Sequence, residues 1–249
     1  MQDAQGNGLY PLYGFQGVIF MDGPGIRNRF PNLVLFDFDG TLADSYPAIT
    51  ASVNHTRAIH GLPPVPKEEV KRFVGRGPEH LLGNMVPGVD YVKSYEIYKA
   101  HHPTVLASGT VLLPGVLELL ADLLARGVSL GICSNKPRAF TEELVECLCL
   151  GDTFAMVLGP EDVARRKPAP DMLIEAVKRS GLSRDLVLYV GDMSVDVQTA
   201  RGAGVAVWAV ATGSETEQEI RASGPDQLFG NMKELHARLL SQGFEPSTK

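Results

Sequence analysis

Leu33-Val34-Leu35-Phe36-Asp37-Phe38-Asp39-Gly40-Thr41-Leu42 is the stretch of sequence that decides the fold. Its first four residues are all apolar and show no polar alternation, which predicts a strand buried on both faces of a parallel sheet. Two carboxylates follow, at Asp37 and Asp39, and Gly40 allows the chain to turn tightly. Open α/β sheets bind ligands at the carboxyl ends of their strands, so the stretch predicts a binding site. Taken alone, an Asp- and Gly-containing segment is also typical of a surface turn.

The composition limits the classes of protein to which the chain can belong. Its 249 residues suffice for one large α/β domain with a smaller inserted one. A formal net charge of −6 argues against a partner that is a nucleic acid or an anionic membrane. We expect no membrane-spanning segment and no signal peptide. The three cysteines, Cys133, Cys147 and Cys149, do not form a disulfide pattern, which favours a cytoplasmic protein.

Strand and helix signals alternate along most of the chain. After the first strand, helical patterns separate four further predicted strands, at 128–133, 154–158, 186–190 and 205–210. This alternation predicts an α/β fold with a doubly wound parallel sheet, which is a Rossmann-like core.

The same signals divide the chain into three parts. Residues 45–108 contain no strand signal and predict a small α-helical cap domain inserted after the first strand. The core is assigned to residues 32–44 and 109–249. Residues 1–31 form a glycine-rich N-terminal extension in which Val18-Ile19-Phe20 is either an accessory strand or part of a loose segment.

Polar side chains follow four of the predicted strands or lie in the adjoining loops: Asp37 and Asp39, Ser134 and Asn135, Lys167, and Asp192 and Asp196. The carboxyl ends of parallel strands meet at one edge of a sheet, so these groups are expected to lie together. Clustered carboxylates repel one another, and Mg²⁺, which prefers oxygen ligands, relieves that repulsion. We predict a Mg²⁺ site made by the side chains of Asp37 and Asp192, the backbone carbonyl of Asp39, and Asp196, which either binds the metal or orients a bound water.

The same groups fit a phosphoryl transfer reaction, which needs positioning and charge neutralisation. Asp37 is the candidate nucleophile, and Asp39 the candidate acid that protonates the leaving oxygen and then activates water. Lys167 provides a cation for the phosphate oxygens. Polar groups of three further residues are predicted to bind the phosphorylated substrate, namely Thr41, Ser134 and Asn135.

Four motifs, in chain order, resemble those of the haloacid dehalogenase-like phosphohydrolases: Asp37-Phe38-Asp39-Gly40-Thr41, Ser134-Asn135-Lys136-Pro137, Lys167-Pro168-Ala169-Pro170-Asp171 and Gly191-Asp192-Met193-Ser194-Val195-Asp196. The resemblance covers about residues 33–240. It implies hydrolysis of a small phosphorylated metabolite, with Mg²⁺ and through an aspartyl-phosphate on Asp37. The helical insertion looks like the cap of that family. Val74-Gly75-Arg76-Gly77, with the second motif, is most similar to the phosphoglycolate phosphatase subgroup.

Several alternatives stay open at this point. Arg76 either binds a substrate carboxylate, as phosphoglycolate would require, or is a solvated loop residue. A phosphomutase like β-phosphoglucomutase shares the same core and cap, and needs slow attack of water on the intermediate. A non-enzymatic phospho-accepting regulatory domain is the third reading, although the cap and Asp39 count against it. Dehalogenases lack a carboxylate at the position of Asp39, which disfavours dehalogenation. The sequence leaves open whether the protein is a monomer or a homodimer.

Overall fold

The structure is a computed structural model, and it describes residues 30–242. The strands within this range are β1 Leu33–Phe36, β2 Ala43–Asp44, β3 Val111–Leu112, β4 Ser129–Cys133, β5 Met156–Leu158, β6 Val187–Gly191, β7 Ala206–Val210 and β8 Gln227–Phe229. The α-helices are α1 Tyr46–Ile59, α2 Lys67–Lys71, α3 Pro78–Met85, α4 Tyr91–His101, α5 Val116–Ala125, α6 Arg138–Cys147, α7 Asp171–Ser180, α8 Ser194–Ala203, α9 Glu217–Ser223 and α10 Met232–Gln242. Short 3₁₀ turns occupy 102–104, 160–162 and 184–186.

Six strands form one parallel sheet in the order β5-β4-β1-β6-β7-β8. β1 lies in the middle, between β4 and β6, and the strand order runs outward in both directions from it. In this register Phe36 lies opposite Ile132 of β4 and Val190 of β6, so the three strands end at nearly the same level. The predicted α/β class and doubly wound parallel sheet are confirmed, and the crevice beyond β1 is where such sheets bind ligands.

Side chains of β1 alternate between the two faces of the sheet. Val34 and Phe36 join the apolar cluster that includes side chains of α5, α6 and α10. Leu33 and Leu35 join the opposite cluster, with side chains of α7 and α8. Both faces are therefore covered by helices, which explains why this strand is apolar at every position.

The helices α1 to α4 all lie between β2 and β3. These two short strands pair antiparallel, with Ala43 opposite Leu112 and Asp44 opposite Val111. They form a neck through which the chain leaves the sheet domain and returns to it. We call residues 45–108 the helical insert. Its first helix begins where the backbone N–H of Tyr46 donates to Asp44 Oδ1 at 3.1 Å, and Pro47 occupies the first turn.

Several boundaries differ from the sequence-based expectation. The strand expected at 154–158 begins at Met156, and the pair α9 and β8 was not anticipated. All three cysteines are free: Cys133 is buried, whereas Cys147 and Cys149 are exposed. Within residues 30–242, no helix combines the length and the apolar character needed to cross a bilayer. The predictions for residues 1–29, including the strand at Val18-Ile19-Phe20, lie outside the described residues.

Candidate active site

Three carboxylates meet at the carboxyl edge of the central strands. Asp37 follows β1, and its N–H donates to the Val190 carbonyl of β6 at 2.9 Å. Asp192 follows β6, and Asp196 lies in the first turn of α8. Each offers one carboxylate oxygen to a group whose oxygens all lie within 4.8 Å of one another, and all three residues are buried. The structure therefore brings these three predicted site residues together.

Asp196 is held by hydrogen bonds to both of its oxygens. Oδ2 accepts from the N–H groups of Asp192 at 3.2 Å and Met193 at 3.0 Å, which caps the start of α8. Oδ1 accepts from Lys167 Nζ at 2.7 Å and lies 3.0 Å from the hydroxyl of Tyr189. Asp196 thus combines a helix-capping contact with a charged contact to the predicted lysine.

Lys167 lies beneath the carboxylates. Its ammonium is 3.0 Å from Asp37 Oδ1, 2.7 Å from Asp196 Oδ1 and 2.9 Å from the Tyr189 hydroxyl, and its side chain has no exposed surface. Burial works against this charge, but the carboxylates of Asp196 and Asp37 outweigh it and raise the pKa of Lys167 above its ordinary value. The residue is therefore a fixed cation that the carboxylates retain.

Two buried carboxylate oxygens of the cluster differ in their contacts. Asp192 Oδ2 accepts no hydrogen bond from the described residues, whereas Asp37 Oδ1 contacts the Lys167 ammonium at 3.0 Å. The space at Asp192 Oδ2 is kept open by glycines: a Cβ added at Gly40 would lie 2.7 Å from that oxygen and one at Gly213 only 1.5 Å from it. Gly40 also has a φ of +88°, which favours glycine. An unpartnered buried oxygen on Asp192, with two further carboxylates nearby, is a set of hard oxygen donors that fits Mg²⁺.

The pKa values of the clustered carboxylates also favour a bound cation. Burial raises the pKa of Asp37 to about 6, although Lys167 opposes the rise. Burial, and then the charges of Asp196 and Asp37, raise the pKa of Asp192 well above its usual range. One lysine therefore does not neutralise three buried carboxylates, and a bound cation would.

The predicted substrate-binding groups occupy different positions around this cluster. The Thr41 hydroxyl donates to Asp192 Oδ1 at 2.6 Å, so it orients a carboxylate. Ser134 is buried next to Asp37, and its hydroxyl lowers the pKa of that carboxyl. The Asn135 amide is engaged by the backbone of Lys167 and by the carbonyl of Gly75. All three lie at the site, but the side chains of Thr41 and Asn135 are bonded to protein groups.

Asp39 lies apart from the three-carboxylate group. Its carboxylate accepts a hydrogen bond from the hydroxyl of Ser45 and faces Lys136 Nζ, which is 3.1 Å from Oδ1 and 3.4 Å from Oδ2. The backbone bridge between Asp39 and Ala43 holds this loop next to the neck. The predicted acid–base residue therefore lines the cleft beside Lys136 and is not one of the three carboxylates that meet at the possible metal site.

A cleft opens between this edge of the sheet and the helical insert. Asp37, Asp39, Ser134, Asn135 and Lys136 form its floor. Its other walls are mainly apolar and include Ile49, Val74, Leu81 and Phe140, with Tyr98 and His102 as polar side chains of the insert. Arg76, the predicted carboxylate reader, is exposed and does not line the cleft.

Sequence reasoning assigned no role to Lys136, Tyr189, Tyr98 or His102. Lys136 belongs to the Ser134-Asn135-Lys136-Pro137 motif, where its charge was a usable signal. Tyr189 interrupts the apolar run of β6, and a buried tyrosine hydroxyl needs a polar partner, which was also a signal. Tyr98 and His102 belong to the helical insert, and only the folded structure brings them to the cleft.

Comparison with known proteins adds independent information. Residues 34–210 match the family model described as haloacid dehalogenase-like hydrolase. Phosphoglycolate phosphatase of Rhodospirillum rubrum is 37% identical over 198 residues, which cover 75% of this chain and 82% of the relative. Phosphoglycolate phosphatase 1 of Pseudomonas aeruginosa is 31% identical over 225 residues, covering 85% of this chain and 81% of the relative.

Solved structures agree with the sequence matches. A Bacteroides fragilis protein assigned as a haloacid dehalogenase-like hydrolase superposes with a TM-score of 0.77 at 30% identity, over 82% of this chain and 99% of the other. A protein predicted to be a phosphoglycolate phosphatase, from Haemophilus somnus, gives a TM-score of 0.77 at 25% identity, over 85% of this chain and 98% of the other.

Proposed function

The chain belongs to the haloacid dehalogenase-like hydrolases and is a phosphatase, and from that premise we propose that it hydrolyses small phosphate monoesters, phosphoglycolate among them, through an aspartyl-phosphate on Asp37 with Mg²⁺ as cofactor. The observation that carries the proposal is the position of the buried Asp37 carboxylate, which shares a possible metal site with Asp192 and Asp196 and has its Oδ1 3.0 Å from Lys167 Nζ. A fixed cation beside this carboxylate favours the ionised form, which is the form that attacks phosphorus.

The metal would be held by the oxygen atoms of the cluster that remain available to bind it. Asp192 has a buried oxygen without a hydrogen bond, Asp37 offers a carboxylate oxygen to the same group, and the backbone carbonyl of Asp39 is the third candidate. Both oxygens of Asp196 are already bonded, so we assign Asp196 to orienting the site. When bound, Mg²⁺ would neutralise charge on the phosphoryl group and on the carboxylates.

The chemistry of the protein groups follows in two displacements. Asp37 attacks phosphorus, the bond from phosphorus to the ester oxygen breaks, and Asp39 gives its proton to the departing oxygen. Asp39 then removes a proton from water, and that water displaces phosphate from Asp37. Lys167 balances the negative charge of Asp37 and the phosphoryl group, while Ser134 and the N–H groups next to it provide hydrogen bonds to phosphate oxygens.

We further propose that the helical insert, residues 45–108, acts as a cap over a core formed by residues 32–44 and 109–249. The neck of β2 and β3 joins the two parts, and Asn135 Nδ2 donates to the Gly75 carbonyl of the insert at 3.0 Å. Closure of the cap would exclude bulk water and leave one water to attack the intermediate. The three free cysteines support a reducing, cytoplasmic setting as part of this proposal.

The test is release of inorganic phosphate from a panel of phosphorylated metabolites and an aryl phosphate, with Mg²⁺ present. We expect turnover of small phosphate monoesters by the wild-type protein. A covalent phosphate should be trapped on Asp37 by rapid quenching. A phosphomutase would instead return the phosphoryl group to a sugar phosphate and release little free phosphate. Absence of phosphate release from every ester would refute the proposal.

A further inference from the structure

Lys136 is the single Lys or Arg among the described residues that line the cleft. Lys167 lies below the floor of the cleft. Its side chain has no exposed surface and forms ion pairs with Asp37 and Asp196. We propose that Lys136 binds an acidic group on the leaving part of the substrate, so that the preferred esters carry a carboxylate a few bonds from the ester oxygen. This inference rests on the proposed phosphatase function and adds the residue that selects the substrate.

The position of Lys136 fits that role. Its Nζ lies 3.1 Å and 3.4 Å from the two oxygens of Asp39, the residue proposed to protonate the leaving oxygen. A group bound to Lys136 is therefore within a few ångströms of that oxygen. An ammonium has three donors, and Asp39 is the one partner found for it among the described residues. The remaining donors are available to a ligand in the cleft.

The surroundings strengthen such a contact. Lys136 is 7% exposed, and the facing walls include the apolar side chains of Ile49, Leu81 and Phe140. A charge pair that is largely buried beside apolar side chains is stronger than the same pair in bulk water. His102, across the cleft, stays neutral because burial, and then the charge of Lys136, lowers its pKa to about 2. The insert therefore adds no second cation from this side.

Arg76 was the sequence-based candidate for the same task. It is exposed and lies outside the cleft lining, whereas its neighbours Gly75 and Gly77 do line the cleft. The geometry thus favours Lys136, on the floor of the cleft, over Arg76, in the loop of the insert, as the residue that binds a substrate carboxylate.

The experiment compares two esters that differ in the carboxylate alone. Phosphoglycolate and ethyl phosphate share a two-carbon leaving group, and the measured quantity is the ratio of their kcat/KM values. In Lys136→Met we expect this ratio to fall about ten- to a hundredfold, the value of one charged hydrogen bond. Loss of the contact to Asp39 affects both esters alike and cancels in the ratio. Lys136→Arg keeps a cation, so its ratio should stay clearly above that of Lys136→Met.

Lys99→Met is the matched control, since it removes a cation from the exposed face of α4 and should leave the ratio unchanged. If Lys136→Met does not fold, Lys136→Arg and Lys136→Gln still test the charge. We expect the preference for phosphoglycolate over ethyl phosphate to be retained in Lys136→Arg and lost in Lys136→Gln. A folded Lys136 variant without the charge that keeps the wild-type ratio would overturn the inference, and a change confined to Arg76→Ala would return the role to Arg76. Failure of the proposed function looks different, because the wild-type protein would then hydrolyse neither ester.

Discussion

The side-chain amide of Asn135 is hydrogen-bonded to both backbone groups of Lys167. Its Nδ2 donates to the Lys167 carbonyl at 3.0 Å, and its Oδ1 accepts from the Lys167 N–H at 3.0 Å. The same Nδ2 also donates to the carbonyl of Gly75 in the helical insert at 3.0 Å. One buried side chain therefore connects the end of β4, the loop that carries the lysine, and the insert. We infer that Asn135 positions Lys167, a role distinct from its predicted contact with substrate.

The first prediction concerns this connection. Asn135→Ala leaves the buried N–H and carbonyl of Lys167 without partners, so we expect a loss of about 2–4 kcal/mol in the free energy of unfolding. Turnover of phosphoglycolate and of ethyl phosphate should fall together by at least about tenfold, because the lysine serves every substrate. Urea denaturation and kcat for both esters measure the two effects. Asn84→Ala, which removes an exposed amide on α3, is the control and should change neither. A folded Asn135→Ala protein with the wild-type kcat would contradict the positioning role.

The second prediction concerns the metal. Exhaustive EDTA treatment should abolish phosphate release, and added Mg²⁺ should restore it, because one lysine cannot balance three buried carboxylates. Ca²⁺ should raise the melting temperature yet support little turnover, since its looser coordination spoils in-line geometry. Asp192→Asn should weaken the stabilisation by Mg²⁺. Full activity in EDTA would refute the metal site.

The folded core could be predicted because its signals are local. The apolar run at β1 and the carboxylates that follow it belong to one short segment, and parallel topology places strand ends at one edge. By contrast, β8 has three residues, none of them fully buried, and α9 has seven, so neither gives a long periodic signal. The contact of Lys136 with Asp39 joins residues 97 positions apart, and no pattern in the sequence encodes that distance. The charge of Arg76 and its neighbouring glycines are visible in the sequence, but its exposure is a property of the folded insert.

The third prediction tests the nucleophile. Asp37→Asn should reduce turnover of every ester at least about a thousandfold, because an amide does not attack phosphorus as a carboxylate does. The variant should fold, since asparagine has nearly the same shape and removes a charge from a buried cluster. Phosphate release and circular dichroism measure the two outcomes. Activity within tenfold of the wild-type value would rule out Asp37 as the nucleophile.

The fourth prediction uses the pKa of Asp37 in the metal-free protein. Burial raises that pKa from 3.8 to about 6, so the folded state holds the proton more tightly than the unfolded chain. Its contribution to stability is complete below about pH 4 and is lost as the pH rises through about 6. Relative to Asp37→Asn, the wild-type free energy of unfolding should fall by on the order of 2 kcal/mol between pH 4 and pH 7. Denaturation in EDTA at both pH values measures the difference, and a constant difference would argue against the raised pKa.

The last prediction concerns how the helical insert seats on the sheet domain. Gly75 has a φ of +102°, and a Cβ added there would lie 2.2 Å from the Sδ atom of Met193, next to the metal-site residue Asp192. Gly75→Ala should add a backbone strain of about 1–3 kcal/mol and force either the buried Met193 side chain or the insert to shift, so we expect kcat/KM to fall at least about tenfold. Gly83→Ala is the matched control within α3, where a Cβ meets nothing within 4 Å and should stabilise the protein by about 0.5–1 kcal/mol. Adding Met193→Ala to Gly75→Ala should recover part of the activity, because it removes the clashing sulfur but not the strain. If Gly75→Ala and Gly83→Ala changed kcat/KM equally, the close contact between Gly75 and Met193 would not be what positions the insert over the site.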